Sequence, residues 1–360
     1  MFIKNTWYVA AWDHEVKADG LFARTIIGVP ILMYRTSDGT LTVLEDRCCH
    51  RGAPLSMGKR EGDCVRCMYH GLKFDASGQC IEAPAQTRVP PQAKVRTFPV
   101  VQQHRWIWIW MGDPAKADPA LIPETPWLDH PDWRGLDGYI HYDVNYLLIC
   151  DNLLDFSHLP FVHPTTLGGG VDYAEHPPKV ERLEDGVRIT RWALNTEPPP
   201  FVKAVKDWNG KVDRWNIYNF TIPAILLMDS GNAPAGTGAP EGRRVDAAEF
   251  RGCQAITPET ENSTHYFFSH PHNFSIDKPE VTKSIHQNVV TAFEEDRAII
   301  TAQQKNLSLD PAFKMMPFAM DAALSQFRWA VNRRLEQEAA EASSAAGVTE
   351  QSIAPPRRGT

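Results

Sequence analysis

The stretch RCCHRGAPLSMGKREGDCVRCMYHG, Arg47 to Gly71, constrains this chain more than any other. It holds four of the seven cysteines and two of the thirteen histidines, a density that core filling does not require. The residues form two short pairs, Cys48-x-His50 and Cys67-x2-His70, separated by sixteen residues. Each pair can offer one thiolate and one imidazole from a tight loop. The N-terminus, MFIKNTWYVAAWDHE, lacks the apolar core and cleavage site of a secretion signal, so a cytoplasmic location is expected. Thiols stay reduced there, and clustered cysteines mean metal or catalysis more often than disulfides.

Around this cluster the sequence reads as β-structure. WYVAAW, ARTIIG, PILMYR and LTVLED are β-rich runs, and Asp38-Gly39 between the last two is a hairpin signal. GLKFD, Val95–Val101 and Trp106–Met111 continue the series. Residues 1–112 therefore form a small all-β module, with the Pro-rich GDPAKADPALIPETP as connector. From 113 to 342 the types mix. YIHYDVNYLL (139–148) alternates like a strand and enters a helical run at 149–159. Strands are expected at 187–193, 214–228, 247–256 and 264–270, and helices at 279–306 and 319–341. The polar tail 343–360 is expected to be disordered. The net charge of −7 leaves no basic footprint for nucleic acid, and no apolar run reaches the length of a membrane span.

A Cys2His2 set has two readings. One is a structural tetrahedral zinc site. The other is a Rieske [2Fe–2S] centre, with two cysteines on one iron and two histidines on the other. The pairing favours the second. Each loop carries one Cys and one His, whereas a zinc finger groups its cysteines together and its histidines together. Gly52, Pro54 and Gly71 suit loops whose amides must approach cluster sulfides. Cys49 abuts His50 and should point away, and Cys64 lies three residues before Cys67; both read as non-ligands.

A second cluster lies in DNLLDFSHLPFVH. Asn152, Asp155 and His158 are spaced to share one helical stripe. His163 would diverge from His158 on a straight helix, but Pro160 predicts a break that lets the two histidines converge. Two histidines and one carboxylate form the facial triad of non-haem Fe(II) oxygenases, which leaves positions open for O2 and substrate. In FEEDRAIITAQQ, Asp296 borders the apolar face marked by Ile299 and Ile300, so it is the third ligand expected, ahead of Glu294 and Glu295.

The motifs CCHRGAPL, CMYHGLKF, DNLLDFSHLPFVH and AFEEDRAIITAQQ, in this order over residues 1–340, resemble the oxygenase component of Rieske non-haem iron oxygenases. RCCHR, GDCVRC, YIHY and GTGAPEGRR are most similar to the toluenesulfonate methyl-monooxygenase type, in the branch with vanillate and dicamba O-demethylases. The resemblance implies an α+β fold: an N-terminal Rieske domain, then a catalytic domain whose curved antiparallel sheet grips a long helix. It implies that Cys48, His50, Cys67 and His70 bind the cluster and that His158, His163 and Asp296 bind Fe(II). Asp155 would link a neighbouring subunit's Rieske histidine to an iron-ligating histidine, Asn152 would lie close to the iron, and the assembly would be a ring-shaped homotrimer. One departure is Cys49, where many relatives carry Pro.

The reaction so implied is O2-dependent hydroxylation of a methyl or methoxy carbon of an aromatic acid or sulfonate. A methoxy group would leave as formaldehyde, and an aryl methyl would become a benzylic alcohol. Ring cis-dihydroxylation with the same metals is the alternative. The chain has no G-x-G-x-x-G loop and no C-x4-C-x2-C ferredoxin spacing, so a separate flavin and iron–sulfur reductase, fed by NADH or NADPH, is required. Trp215, Phe220 and Met228 lie on candidate pocket strands, and Arg191, Arg214 and Gln254 offer donors for an acidic group.

Overall fold

The computed structural model describes residues 1–168, 176–204 and 206–351. The N-terminal part is built from β1 (Trp7–Trp12), β2 (Phe22–Ile26), β3 (Val29–Arg35), β4 (Leu41–Glu45), β5 (Lys59–Glu61), β6 (Cys64–Arg66), β7 (Lys73–Phe74), β8 (Cys80–Glu82), β9 (Val100–Gln103) and β10 (Trp106–Trp110). They pair as three small sheets, in the orders β1-β10-β9, β2-β3-β4 and β5-β6-β7-β8. Gly39, at φ +86°, turns the chain between β3 and β4, the hairpin that Asp38-Gly39 predicts.

The larger part contains β11 (Gly138–Tyr142), α1 (Tyr146–Leu154), α2 (Leu159–Val162), β12 (Lys179–Arg182), β13 (Gly186–Thr196), α3 (Pro200–Lys203), β14 (Val212–Thr221), β15 (Ile225–Pro234), β16 (Ala248–Thr260), β17 (Ser263–Ser269), α4 (Pro279–Leu309) and α5 (Ala322–Gln351). Seven strands form one antiparallel sheet, β11-β17-β16-β15-β14-β13-β12. The expected single strand at 214–228 is in fact two strands around a tight turn at Ile222–Ala224. Ile222-Pro223 is a cis bond in that turn.

Strand alternation gives the sheet two working faces. Ile225, Cys253, Ala255 and Phe267 lie against Trp7, Trp12, Trp106, Trp108 and Trp110, so the alternating WIWIW of β10 becomes the wall between the N-terminal sheets and the large one. Leu226, Tyr218, Tyr266 and Phe268 point the other way, to α1, α4 and α5. On α4 the buried residues are Thr282, Ile285, Val289, Ala292, Phe293, Asp296 and Ile300. Asp296 therefore sits inside the apolar stripe, not at its border, and Ile299 is exposed.

The last helix runs to Gln351, past the position 343 where a tail is expected; residues 352–360 lie outside the described residues. No helix among the described residues is long and apolar enough to cross a membrane.

Candidate metal centres and active site

The two Cys/His loops share one backbone design. Cys48 N–H donates to Ala53 O at 2.8 Å, and Gly52 N–H to Cys48 O at 2.9 Å; Cys67 N–H donates to Leu72 O at 2.8 Å, and Gly71 N–H to Cys67 O at 2.9 Å. Gly52 and Gly71 hold φ of +72° and +75°, the left-handed conformation that closes each loop without a Cβ penalty. Both loops thereby bury their first cysteine and expose their histidine. Cys48 and Cys67 are buried, while the His50 and His70 rings stand exposed with centroids 4.6 Å apart. Burial and the neighbouring Cys67 push the Cys48 thiol up to about 11. Two thiolates side by side in that place call for a cationic group between them. Cys49 is exposed, and Cys64 is half-buried on β6.

At the second cluster the helix breaks earlier than Pro160 suggests. α1 is capped at its start by Asn145, whose side chain accepts from Leu147 N–H, and it ends at Asp155, whose φ and ψ are −128° and 97°. The Asp155 carboxylate accepts from Ser157 N–H at 2.9 Å and from Ser157 Oγ at 2.7 Å, starting a short 3-10 turn. Pro160 lies in the first turn of α2, where its missing N–H costs nothing. Asn152, Asp155 and His158 therefore do not share a straight helical stripe; the turn at Asp155 re-aims His158.

Hydrogen bonds fix both imidazoles. His158 Nδ1–H donates to the Asp155 carbonyl at 2.5 Å. His163 Nδ1–H donates to Glu295 Oε2 at 2.7 Å, and Thr166 Oγ1 steadies the same oxygen at 3.0 Å. Each ring then presents an Nε2 lone pair to Asp296 Oδ1, at 3.5 Å for His158 and 3.1 Å for His163. Asn152 Nδ2 donates to that oxygen at 2.9 Å. One ligand atom from each of His158, His163 and Asp296 lies within 4.8 Å of the others. Imidazole–metal bonds are about 2.1 Å, which sets neighbouring octahedral ligands about 3 Å apart. Two lone pairs and a carboxylate facing one point repel unless a cation sits among them, so the donor set fits a divalent metal.

The environment tunes the pair in opposite directions. Burial lowers the pKa of His158, outweighing the pull of Asp296. Burial also opposes the charge on His163, but the Asp296 and Glu295 carboxylates win and raise it. A proton and a metal ion therefore compete for the same nitrogen of His163.

A cavity opens on this point between the sheet and α4. Leu153, Phe156, Phe201, Phe250, Val289 and Phe293 give it apolar walls, and Met228 and Gln254 reach it from β15 and β16. Arg214 lines it too, buried, with its guanidinium donating to Gly168 O at 3.1 Å and Leu167 O at 3.2 Å, so it pins the segment after His163. Arg191 lines a different cleft, beside Asp155 and Met320. Trp215 and Phe220 do not line the cavity. Trp215 packs on Trp192 beneath Arg244, and Phe220 packs edge-on against Phe327. Sequence reasoning missed Glu295, which reads as one more charge in a helical run. It also missed His270, which lies in the loop after β17 and carries no local signal.

Residues 142–337 match the family model "Vanillate O-demethylase oxygenase C-terminal domain", and residues 6–99 match "Rieske [2Fe-2S] domain". The chain is 53% identical over 342 residues to the toluene-4-sulfonate monooxygenase system iron–sulfur subunit of Comamonas testosteroni, covering 94% of this chain and 98% of that one. It is 36% identical over 352 residues to the vanillate O-demethylase oxygenase subunit of a Pseudomonas species, covering 95% and 98%. The crystal structure of dicamba monooxygenase with non-heme iron and dicamba is similar at a TM-score of 0.79 and 31% identity, over 94% of this chain and 99% of that one.

Proposed function

Since this chain belongs to the Rieske non-haem iron oxygenases, in the vanillate O-demethylase family, we propose that it is the terminal oxygenase of a multicomponent monooxygenase that hydroxylates a methyl or methoxy group of an aromatic acid or sulfonate. The observation that carries this reading is the convergence of His158, His163 and Asp296 on one apolar cavity, in a chain that also bears the two Cys/His loops. The activities named for the relatives favour methyl and methoxy chemistry over ring cis-dihydroxylation.

Cys48, His50, Cys67 and His70 hold the [2Fe–2S] cluster, and His158, His163 and Asp296 hold Fe(II), in this reading. When bound, these groups supply one-electron transfer and O2 activation. The protein's own part is positioning. Glu295 and the Asp155 carbonyl lock the tautomers of His163 and His158, and Asn152 orients Asp296. The apolar walls exclude water and take a flat aromatic ring.

The chain has two exposed apolar patches that support a ring of copies. Met57, Met68 and Tyr69 are exposed on the segments that carry His50 and His70, and the Tyr69 ring packs on His70 at 4.0 Å. Phe161 and Met320 line a cleft with Asp155, with Ser157 Oγ 3.3 Å from Met320 Sδ, and Met316 and Phe318 are exposed shortly before Met320 in the chain. Docking the first patch of one copy on the second patch of the next is a heterologous contact, which makes a ring where the rotation between copies closes, and a homotrimer is the assembly we propose. Electrons come from a separate NADH- or NADPH-dependent flavin and iron–sulfur reductase. Seven unpaired cysteines suit a reducing cytoplasm.

The test is turnover with such a reductase, using 4-toluenesulfonate and 4-methoxybenzoate as probes. Substrate-dependent uptake of O2 and NADH is expected, with benzylic alcohol from the methyl probe and formaldehyde from the methoxy probe. A cis-diol product, or no substrate-dependent uptake, overturns the reading. Replacing Glu295 by Leu tests the iron site separately. With its Nδ1–H unanchored, His163 should lose about 10- to 100-fold in Fe(II) affinity. An iron titration with the cluster spectrum unchanged is the check.

A further inference from the structure

The run GYIHY of β11 divides its side chains between two neighbours by strand alternation. Tyr139 faces the N-terminal sheets. Its hydroxyl donates to His265 Nδ1 at 2.9 Å, and His265 Nε2–H donates to Thr25 O of β2 at 2.9 Å. Tyr142 turns the other way, toward α4. It is 1% exposed, and its hydroxyl donates to the Phe293 carbonyl at 2.8 Å. Burial and the Asp296 carboxylate hold the Tyr142 pKa well above its ordinary value, so the hydroxyl stays a donor.

The Phe293 carbonyl does not need this bond. Inside a helix it already accepts from the amide four residues on, that of Arg297. A carbonyl has a second lone pair, and Tyr142 takes it. What counts is the place where the bond lands. Phe293 is in the cavity wall, and Glu294, Glu295 and Asp296 follow it directly. Glu295 holds His163 Nδ1, and Asp296 faces His158 and His163. One donor from the sheet therefore grips the turn of α4 that supplies one ligand and the anchor of another. Apolar contacts are non-directional and let a helix slide or roll slightly, whereas a hydrogen bond weakens steeply off line. A second grip comes from the same segment. Asn145 N–H donates to Gln304 Oε1 at 3.0 Å, about three turns further along α4. Asn145 also caps α1, its side chain accepting from Leu147 N–H at 3.0 Å, and α1 carries Asn152, which donates to Asp296. Residues 142–145 thus set both helices that meet at Asp296.

We propose that Tyr142 is a positioning residue for the mononuclear iron: its hydroxyl fixes the turn of α4 that presents Asp296 to the metal and Glu295 to His163. The proposal rests on the reading above of His158, His163 and Asp296 as the Fe(II) ligands. A metal centre needs its ligand atoms held to within about 0.5 Å, by groups that are themselves held in place. Removing the hydroxyl takes away no ligand and orphans no acceptor, because the Phe293 carbonyl keeps its helical partner. It releases only the position of the turn. The change therefore shows in metal affinity and in ligand geometry.

The experiment compares wild type, Tyr142→Phe and Tyr8→Phe, each with its Rieske cluster intact and its mononuclear site emptied by chelation. Tyr8 on β1 is the matched control, since its buried hydroxyl likewise donates to a backbone carbonyl, Ile3 O at 2.6 Å. Fe(II) is titrated anaerobically against a chromophoric chelator. The EPR signal of the ferrous nitrosyl adduct is then recorded on reloaded protein with the cluster oxidised. Thermal unfolding and the cluster spectrum check that both variants are folded. Kd for Fe(II) should rise about 10-fold or more in Tyr142→Phe, and its nitrosyl signal should change in rhombicity or split into several species. Tyr8→Phe should match wild type in both readings. An Fe(II) Kd for Tyr142→Phe within about twofold of wild type, with an unchanged nitrosyl signal, overturns the proposal. An equal loss in Tyr8→Phe also overturns it, because it marks general loosening of the fold. If Tyr142→Phe loosens the iron as described but wild type oxidises none of the aromatic probes, the tether stands and the oxygenase reading falls.

Discussion

Replacing Asp296 with Ala removes the mononuclear iron and reduces substrate-dependent O2 uptake to background, while the visible spectrum of the Rieske cluster is unchanged. The effect is this large because Asp296 Oδ1 is the shared partner of three side chains, Asn152, His158 and His163. Without it a divalent ion would keep only two neutral imidazoles and would lose the one carboxylate of the set. The residue is 4% exposed and lies within the buried stripe of α4, so water cannot supply an equivalent charge. The fold tolerates the change: removing the carboxylate leaves a small cavity beside Phe293 and Ile300 and takes away a buried charge that, without the ion, is an electrostatic cost. The Cys48/His50 and Cys67/His70 loops share no hydrogen bond with this region among the described residues, which is why the cluster spectrum serves as the internal control. Iron analysis and anaerobic reduction of the same sample check both halves. Retained mononuclear iron, or surviving activity, contradicts the assignment of Asp296.

Much of this site is legible in the sequence because it rests on residue types at short spacing. Two Cys/His pairs on Gly-rich loops need no tertiary information to suggest a cluster, and the helical period points from Ile300 to Asp296, although Ile299, the other residue that marks the face in the sequence, is exposed. What fails is anything decided by a single backbone torsion or by a distant partner. Pro160 is the expected helix breaker, yet the chain breaks at Asp155, because an Asp can satisfy the next amides itself and a Pro is welcome in a first turn. The run 214–228 reads as one strand, since nothing in FTIPAIL but Pro223 marks the turn that divides β14 from β15. Trp215 is on the expected strand but on the face turned away from the cavity, whereas Phe220 and Arg191 share the cavity's face and are displaced from it along β14 and across to β13, because period gives the face and not the position on it. Glu295 and His270 are invisible for another reason. Glu295 meets its partner His163 more than a hundred residues away, and His270 lies in a loop that carries no local signal.

Replacing Asp155 with Asn is expected to keep both metals and still lower turnover about 100-fold or more. Its contacts within this chain survive the change. The backbone carbonyl that holds His158 Nδ1–H is untouched, and an Asn Oδ1 accepts from Ser157 N–H as the carboxylate does. The Ser157 hydroxyl, which now donates to Asp155 Oδ2 at 2.7 Å, has Met320 Sδ within 3.3 Å as another partner. What disappears is a negative charge at the rim, between His158 and the exposed Phe161–Met320 patch. If a neighbouring copy seats its exposed His50/His70 tip on that patch, an imidazole N–H there loses its charged acceptor, and such bonds contribute about 1.5–3 kcal/mol each. That corresponds to roughly 10- to 100-fold in an equilibrium, and to more where the same bond also carries the electron's route between metals. The distinguishing measurement is a single turnover: the pre-reduced cluster of the Asn variant, given substrate and O2, should stay reduced far longer than that of wild type, with iron content and cluster spectrum unaltered. Turnover within about tenfold of wild type removes the linking role from Asp155 and leaves it as the cap of the turn that aims His158.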